Sequence, residues 1–326
     1  MTYVTTYSVP RLERWSASTR LVRPRDGRLR ALAVIARHDG PAILHGASGA
    51  RAGYVDVLGA AAIARRGHRV LVAETTWQPG SRTLERWVGR SRPETGVDGE
   101  PRLGRGLTRA VVRAMDHPNI HYAVLSRDEQ RTLPATWGID RSRVHFVAFC
   151  TTLKREPPPS PREPSVFSGG NSLRDYRALV AARDRLEWPL TIATTLYGAD
   201  ARAGIGPLAP DAYAASAARS AIAVVALQRD TVRSAGQQTY LNAMLLGQAV
   251  VVTEAPGVRD YIDDGRTGLV VDNEPDALAD AINGLIDDPA RRETLGRAAR
   301  AEVLERFRLP DYYGRLLDLA DDLTGG

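Results

Sequence analysis

Cysteine is almost absent from this 326-residue chain, and the single Cys150 excludes intrachain disulfides and cannot by itself assemble a zinc site. It is expected to be a small buried hydrophobe at a strand end. Lysine is equally scarce, with Lys154 alone, so arginine carries nearly all of the positive charge. No apolar run approaches the roughly 18 residues of a membrane-spanning helix; the longest, Ala221 to Leu227, has the length of a buried strand. The N-terminus meets Arg11 and Arg14 before any long apolar stretch, so no secretory signal is read there and a cytoplasmic location is expected. What is present is ordinary for a folded protein: 43% hydrophobic and 25% charged residues, which argues against disorder. The length suggests two domains of roughly 150 residues each.

The charge is divided unevenly. Residues 1–160 hold 26 Lys plus Arg against 14 Asp plus Glu, a net +12, and residues 161–326 hold 18 against 24, a net −6. A basic half can attract anionic surfaces such as the inner face of a membrane, for a peripheral contact, or phosphorylated acceptors; the alternative is that the same excess forms a solvated face. The arginines are scattered and match no nucleic-acid-binding module, so nucleic acid is not expected.

Five prolines among residues 153–164 preclude a helix and mark a linker between the halves. Before it, Pro41 to Gly46 reads as a strand ending in a turn, Val55 to Arg66 as a helix and Val70 to Ala73 as a strand, a β-α-β unit with a right-handed crossover. Tyr122 to Leu125 and Val144 to Phe149 continue the alternation. Ser91 to Arg105, rich in Gly, Pro and charge, is expected to be a mobile loop. After the linker, strands are predicted at 165–168, 190–193, 221–226 and 249–252, with helices at 176–185, 213–218 and 240–246. Two consecutive α/β domains bind ligands at the carboxyl ends of their strands, so chemistry is sought at strand-to-helix turns.

The run from Asn242 through Gly247, Pro256-Gly257-Val258-Arg259-Asp260-Tyr261 and Gly265 to Gly268-Leu-Val-Val271, with Asp276 to Ile282 and Arg300 to Phe307 beyond it, resembles the C-terminal donor domain of GT-B glycosyltransferases, especially family 4. A weaker likeness reaches Ser168-Gly-Gly-Asn-Ser-Leu-Arg-Asp-Tyr176. The resemblance implies an α/β, GT-B architecture of two Rossmann-like domains facing a central cleft, with the C-terminal helix crossing back. The corresponding boundaries are 1–152 for an acceptor domain, 153–164 for the linker, 165–305 for a nucleotide-sugar donor domain and 306–326 for a terminal helix packing toward the first domain.

Local chemistry supports the same reading. Gly236 breaks the chain before Gln237 and Gln238 start a helix, whose free N–H groups and positive dipole end suit a diphosphate. Gly170 and Asn171 lead into Arg174, whose guanidinium could clamp phosphate bidentately, the alternative being a salt bridge with Asp175. The family carries two glutamates that contact the nucleotide ribose and the sugar; this chain has Asn242 and Ser234 there, which keep hydrogen bonding and lose the charge. A helix-start capping network is the other reading of that pair.

On the acceptor side, His45, Gly46 and Ser48, followed by Tyr54 and Asp56, resemble the loop facing the donor in this fold, and Glu74 and Trp77 follow the next strand. Asp56, Glu74 and His45 are candidate bases or acceptor contacts; Gly46, Ser48, Tyr54 and Trp77 are candidate acceptor-binding residues. Family 4 resemblance implies a retaining transfer in which the departing phosphate assists; the alternative, an inverting transfer, requires a general base, for which Asp56, Glu74 and His45 are the candidates. No Asp-x-Asp motif is present, so no metal and no cofactor are expected, the nucleotide-sugar being a substrate. The expected activity is a glycosyltransferase, hexosyltransferase-like, acting on a lipid-linked or cell-envelope glycan or a natural product. A catalytically silent GT-B-like sugar- or nucleotide-binding partner protein is the alternative, and a dinucleotide-dependent enzyme is disfavoured because no G-x-G-x-x-G follows a first strand.

Overall fold

The computed structural model describes residues 2–7, 12–22, 27–46, 55–75, 77, 112–153, 162–197, 200 and 204–325. The chain divides into two compact units, residues 1–147 with 313–326, and residues 148–312. The expected mobile loop at 91–105 and most of the proline-rich stretch lie outside the described residues.

The first unit is built on a parallel sheet of β1 (Tyr3–Thr5), β2 (Thr19–Leu21), β3 (Ala42–His45), β4 (Val70–Ala73), β5 (Ile120–Val124) and β6 (Val144–Phe146), in the order β2-β1-β3-β4-β5-β6. Strands β3, β4 and β5 are almost continuously apolar because helices cover both faces of a parallel sheet; Ile43, Leu44, Val70 and Val124 are fully buried. The order reverses between β1 and β3, so a crevice opens beyond the carboxyl ends of those two strands. Strands β1 and β2 had no counterpart in the sequence reading, since three residues are too few for a periodic signal. The end of the terminal helix Leu309–Thr324 belongs to this unit: Tyr313 packs on Tyr7 and Trp15, and the Tyr3 hydroxyl donates to Asp321 at 2.6 Å.

The second unit has a parallel sheet of β7 (Glu163–Gly169), β8 (Leu190–Ala193), β9 (Ile205–Gly206), β10 (Ser220–Val225), β11 (Ala249–Thr253) and β12 (Leu269–Val271), ordered β12-β11-β10-β7-β8-β9. In sequence order this is the 3-2-1-4-5-6 arrangement of a nucleotide-binding Rossmann sheet, with its switch point between β7 and β10. The run Ala221 to Leu227 is buried throughout. The division between units falls at Val147/Ala148 and not at 152/153, because residues 148–153 are held by the second unit: Phe149 N–H donates to the Tyr261 hydroxyl, Thr151 N–H to the Phe307 carbonyl and Thr152 N–H to Asn242 Oδ1. Strand β7 begins at Glu163, ahead of the expected residue 165. Cys150 is buried, as expected of a structural thiol.

Candidate functional site

In the second unit, two loops meet at the switch point. The loop leaving β7 turns at Gly170, whose φ of +114° is unfavourable for any residue with a Cβ; a Cβ there would also stand 3.0 Å from Arg174 Nη2. The loop then adds a short antiparallel bridge from Arg174 to Leu227, beyond β10, with Gln228 N–H donating to the Leu173 carbonyl. Leu173 is held at φ +51°, a strained value for a branched side chain.

This geometry drives Arg174 inward until it is only 5% exposed. Its guanidinium donates from Nε to the Gly169 carbonyl at 3.4 Å, from Nη1 to the Ser172 carbonyl at 2.9 Å and from Nη2 to Thr239 Oγ1 at 2.8 Å. All three acceptors are neutral, and the expected alternative partner, Asp175, pairs with Arg177 at 2.6 Å. Burial lowers the Arg174 pKa, with the hydroxyls of Tyr176, Tyr213 and Tyr240 opposing it. A buried cation without a counter-charge is costly, and an anion entering the loop removes that cost.

Thr239 lies in the first turn of the helix Gln237–Leu246, which starts at Gly236 (φ +92°) with no side-chain cap. The guanidinium therefore sits against the positive end of a helix. Arg233 Nη2 donates to Ser172 Oγ at 2.7 Å, bringing a second guanidinium to the same loop. Thr239, Ser172 and Arg233 were not singled out from sequence; Thr239 lies 65 residues from Arg174, and only the fold joins them.

Four of the other candidates of this unit, Asn171, Ser234, Gln237 and Asn242, have side-chain hydrogen-bond partners. Asn171 Oδ1 accepts from Thr194 Oγ1 and Thr195 N–H, both at 2.8 Å, and so ties two loops together. Ser234 and Gln237 are buried and hydrogen-bonded to each other, while Gln238 is exposed. Asn242 Oδ1 accepts from Thr151 Oγ1 at 2.8 Å and Thr152 N–H at 2.9 Å, and its Nδ2 donates to Thr152 Oγ1 at 3.0 Å, so its amide holds the 148–153 segment.

In the first unit, His45, Asp56 and Glu74 converge at the β1/β3 switch point. His45 ends β3, its N–H donating to Thr6 Oγ1 at 2.9 Å, and its Nε2 lies 3.2 Å from Glu74 Oε2. Glu74 follows β4 with φ +59°. Glu74 and Leu173 are the only non-glycine residues with positive φ among the described residues; Leu173 lies in the loop leaving β7 at its switch point, and Glu74 in the loop leaving β4, beside His45. Burial disfavours charged His45, but the Glu74 hydrogen bond and the charges of Glu74 and Asp56 outweigh it and raise its pKa. Asp56 is fully buried in the first turn of the helix Val55–Arg65, and burial pushes its pKa up to about 6, opposed by the Thr6 hydroxyl and by His45. Gly46 is explained by packing, since a Cβ would meet Val72 Cγ1 at 2.9 Å. Trp77 packs edge-to-face on Tyr122 and Trp137. Ser48 and Tyr54 lie outside the described residues. Among the described residues no group of three or more His, Cys, Asp or Glu could hold a metal ion, and no helix is long and apolar enough to cross a membrane.

Comparison with solved structures places this architecture. Sucrose-phosphate synthase from Thermosynechococcus elongatus superposes with a TM-score of 0.64 at 15% identity, over 94% of this chain and 83% of that one. Anabaena HepE, solved in complex with UDP-glucose, superposes with a TM-score of 0.64 at 14% identity, over 95% and 88%. This chain has the GT-B fold. Within it, residues 236–302 match the glycosyl transferases group 1 family, a span that starts at the Gly236 helix entry. Among curated relatives, the alpha-maltose-1-phosphate synthase of Mycolicibacterium smegmatis is 39% identical over 74 residues, 21% of this chain and 19% of that protein. The D-inositol 3-phosphate glycosyltransferase of Arthrobacter sp. (strain FB24) is 48% identical over 60 residues, 18% of this chain and 14% of that protein. Each match thus spans less than a fifth of the relative's length.

Proposed function

We propose that this protein is a glycosyltransferase that moves a sugar from a nucleotide-sugar donor to a hydroxyl acceptor. The observation that carries the reading is the buried Arg174 guanidinium, without a carboxylate partner among the described residues and set against an uncapped helix start at the Rossmann switch point. The group that answers this chemistry is a diphosphate. As the bond between the anomeric carbon and the diphosphate oxygen breaks, its electron pair passes to the phosphate, where Arg174 and the helix N-terminus stabilise it without requiring a divalent cation. The new bond forms to the acceptor oxygen, and in a retaining transfer its proton passes to the departing phosphate. His45, Glu74 and Asp56 then serve to hold the acceptor hydroxyl.

Relatives named for transfer to inositol 3-phosphate, and for a GDP-mannose-dependent mannosyltransferase acting on a phosphatidylinositol monomannoside, support a phosphorylated or lipid-linked acceptor, in keeping with the +12 charge of residues 1–160. A thermal-shift panel of UDP, GDP, dTDP, ADP and their sugar conjugates tests the donor side, because a ligand that binds only the native state raises its stability. A selective shift with one base is expected. No shift with any nucleotide, with or without phosphorylated acceptors, contradicts the reading.

A further inference from the structure

The first unit holds an open cavity of about 530 Å³ lined by residues of β1, β2, the Arg28–Ala36 helix and the segment just after it, none of them a candidate acceptor residue. Helix Arg28–Ala36 connects edge strand β2 to β3, and the cavity is lined by one face of this helix together with Val4 of β1 and Arg20 of β2. Val4 and Val34 contribute apolar wall, and Arg20, Arg30, Arg37 and His38 line the cavity. Arg30, Ala33, Val34 and Arg37 follow the i, i+3, i+4, i+7 spacing of one helix face, so the two helix arginines are gathered there by periodicity.

Among the described residues none of these three arginines has a carboxylate partner. The lone acid in the lining, Asp39, is already engaged by His68 Nε2 at 2.9 Å and by Arg66 at 3.3 Å. His38 Nε2 lies 3.2 Å from the Pro41 carbonyl. Burial depresses the His38 pKa, against the opposing Pro41 hydrogen bond, and the charges of His68 and Arg20 add smaller contributions in the same direction as burial. Next to Arg30 on the helix, Leu29 is 84% exposed.

We infer that this cavity is a second anion site that binds a phosphate group, taken either from a lipid headgroup or from a free phosphorylated compound, through Arg20, Arg30 and Arg37. Gathered guanidiniums favour phosphate by charge and by paired N–H donors, and the apolar wall accommodates the carbon skeleton beside it. The inference is independent of the donor site, since it concerns only the first unit.

The test titrates inorganic phosphate into the full chain, into the triple variant Arg20→Gln/Arg30→Gln/Arg37→Gln, and into Ala33→Trp, which fills the cavity and leaves every charge in place. The donor site is common to all three proteins and cancels. Affinity is expected to fall about tenfold or more in both variants at unchanged unfolding temperature. In parallel, binding to phosphatidylglycerol-containing vesicles is compared with binding to phosphatidylcholine vesicles. If the lipid headgroup is the source, phosphatidylglycerol binding falls in the same two variants. If a free compound is the source, vesicle binding is alike in all three while phosphate binding still falls. Equal phosphate affinity in the three proteins overturns the inference, as does a loss in the triple variant that Ala33→Trp does not share, because that pattern belongs to diffuse charge and not to a cavity.

Discussion

Replacing Asp56 by asparagine removes one buried ionisable group from the β1/β3 switch point and leaves a side chain of the same shape. In the folded chain burial pushes the Asp56 pKa from 3.8 to about 6. Below pH 3.8 the carboxyl is protonated in folded and unfolded chains alike, and it costs the fold nothing. Between that value and about 6 the unfolded chain releases the proton while the folded chain keeps it, so stability falls as pH rises, and the loss is complete above the folded pKa. At about 1.4 kcal/mol per unit the full window is worth about 3 kcal/mol, of which about 2.5 kcal/mol falls between about pH 4 and pH 7.5. The Asp56→Asn variant carries no such loss. His45, whose pKa is raised, contributes stability that is present below its unfolded value and is lost as pH climbs through the folded one; the Glu74 hydrogen bond and charge that chiefly raise it remain in the variant, and only the smaller contribution of the Asp56 charge is removed.

Urea unfolding followed by tryptophan fluorescence reads the right unit, since Trp15, Trp77, Trp87 and Trp137 all precede residue 148 and only Trp188 follows it. The variant is expected to gain on the parent by about 2.5 kcal/mol between about pH 4 and pH 7.5. A gap that stays constant with pH, or that widens toward acid, refutes the assignment of Asp56 as a buried, proton-holding carboxyl.

Other substitutions test the second unit. Arg174→Ala is expected to weaken nucleoside diphosphate binding by about 10- to 100-fold, the worth of a charge-assisted contact, without unfolding the protein, as calorimetric titration and a melting curve together would show. Gly170→Ala forces a Cβ onto a φ of +114° and toward Arg174 Nη2; a loss of about 1–3 kcal/mol in thermal unfolding, with a parallel drop in nucleotide affinity, is the expected result. Asn242→Ala cuts the hydrogen bonds to Thr151 and Thr152, so the Thr152 amide should lose hydrogen-exchange protection and stability should drop by about 1–2 kcal/mol; unchanged protection would show that the amide does not hold this segment.

The strands that carry the second sheet were legible because a parallel strand buried on both faces writes itself as an uninterrupted apolar run, and Ala221 to Val225 and Ala249 to Thr253 do so. Gly236 was legible for a related reason: a glycine between an apolar run and a helical pattern marks a turn whose backbone no other residue adopts easily. The helix predicted over 176–185 is α-helical only at Arg177–Ala182 and tightens into a 3-10 turn at Arg183–Arg185. Strands β1 and β2 were silent, being three residues each, yet β1 supplies one side of the switch point that organises His45 and Asp56.

Among the candidate site residues, sequence pattern gave Arg174 its place after a Gly-Gly turn but not its environment. That the guanidinium reaches Thr239 and not Asp175 depends on the bridge between the β7 and β10 loops, a tertiary feature with no local signature. Asn242 is the reverse case. The resemblance in sequence implied a ribose-contacting position there, whereas its hydrogen bonds run to a segment 90 residues earlier, and only the fold could reveal that the amide carbonyl is already occupied.

The central claim is tested most directly by turnover. The full chain is incubated with each common nucleotide-sugar in the presence of a chelator, with phosphorylated and lipid-linked hydroxyl acceptors, and released nucleoside diphosphate is measured. One donor should give release above the protein-free rate, insensitive to the chelator and lost in a folded Arg174→Ala variant. Release by none of the donors, or equal release by the Arg174→Ala variant, would contradict the account.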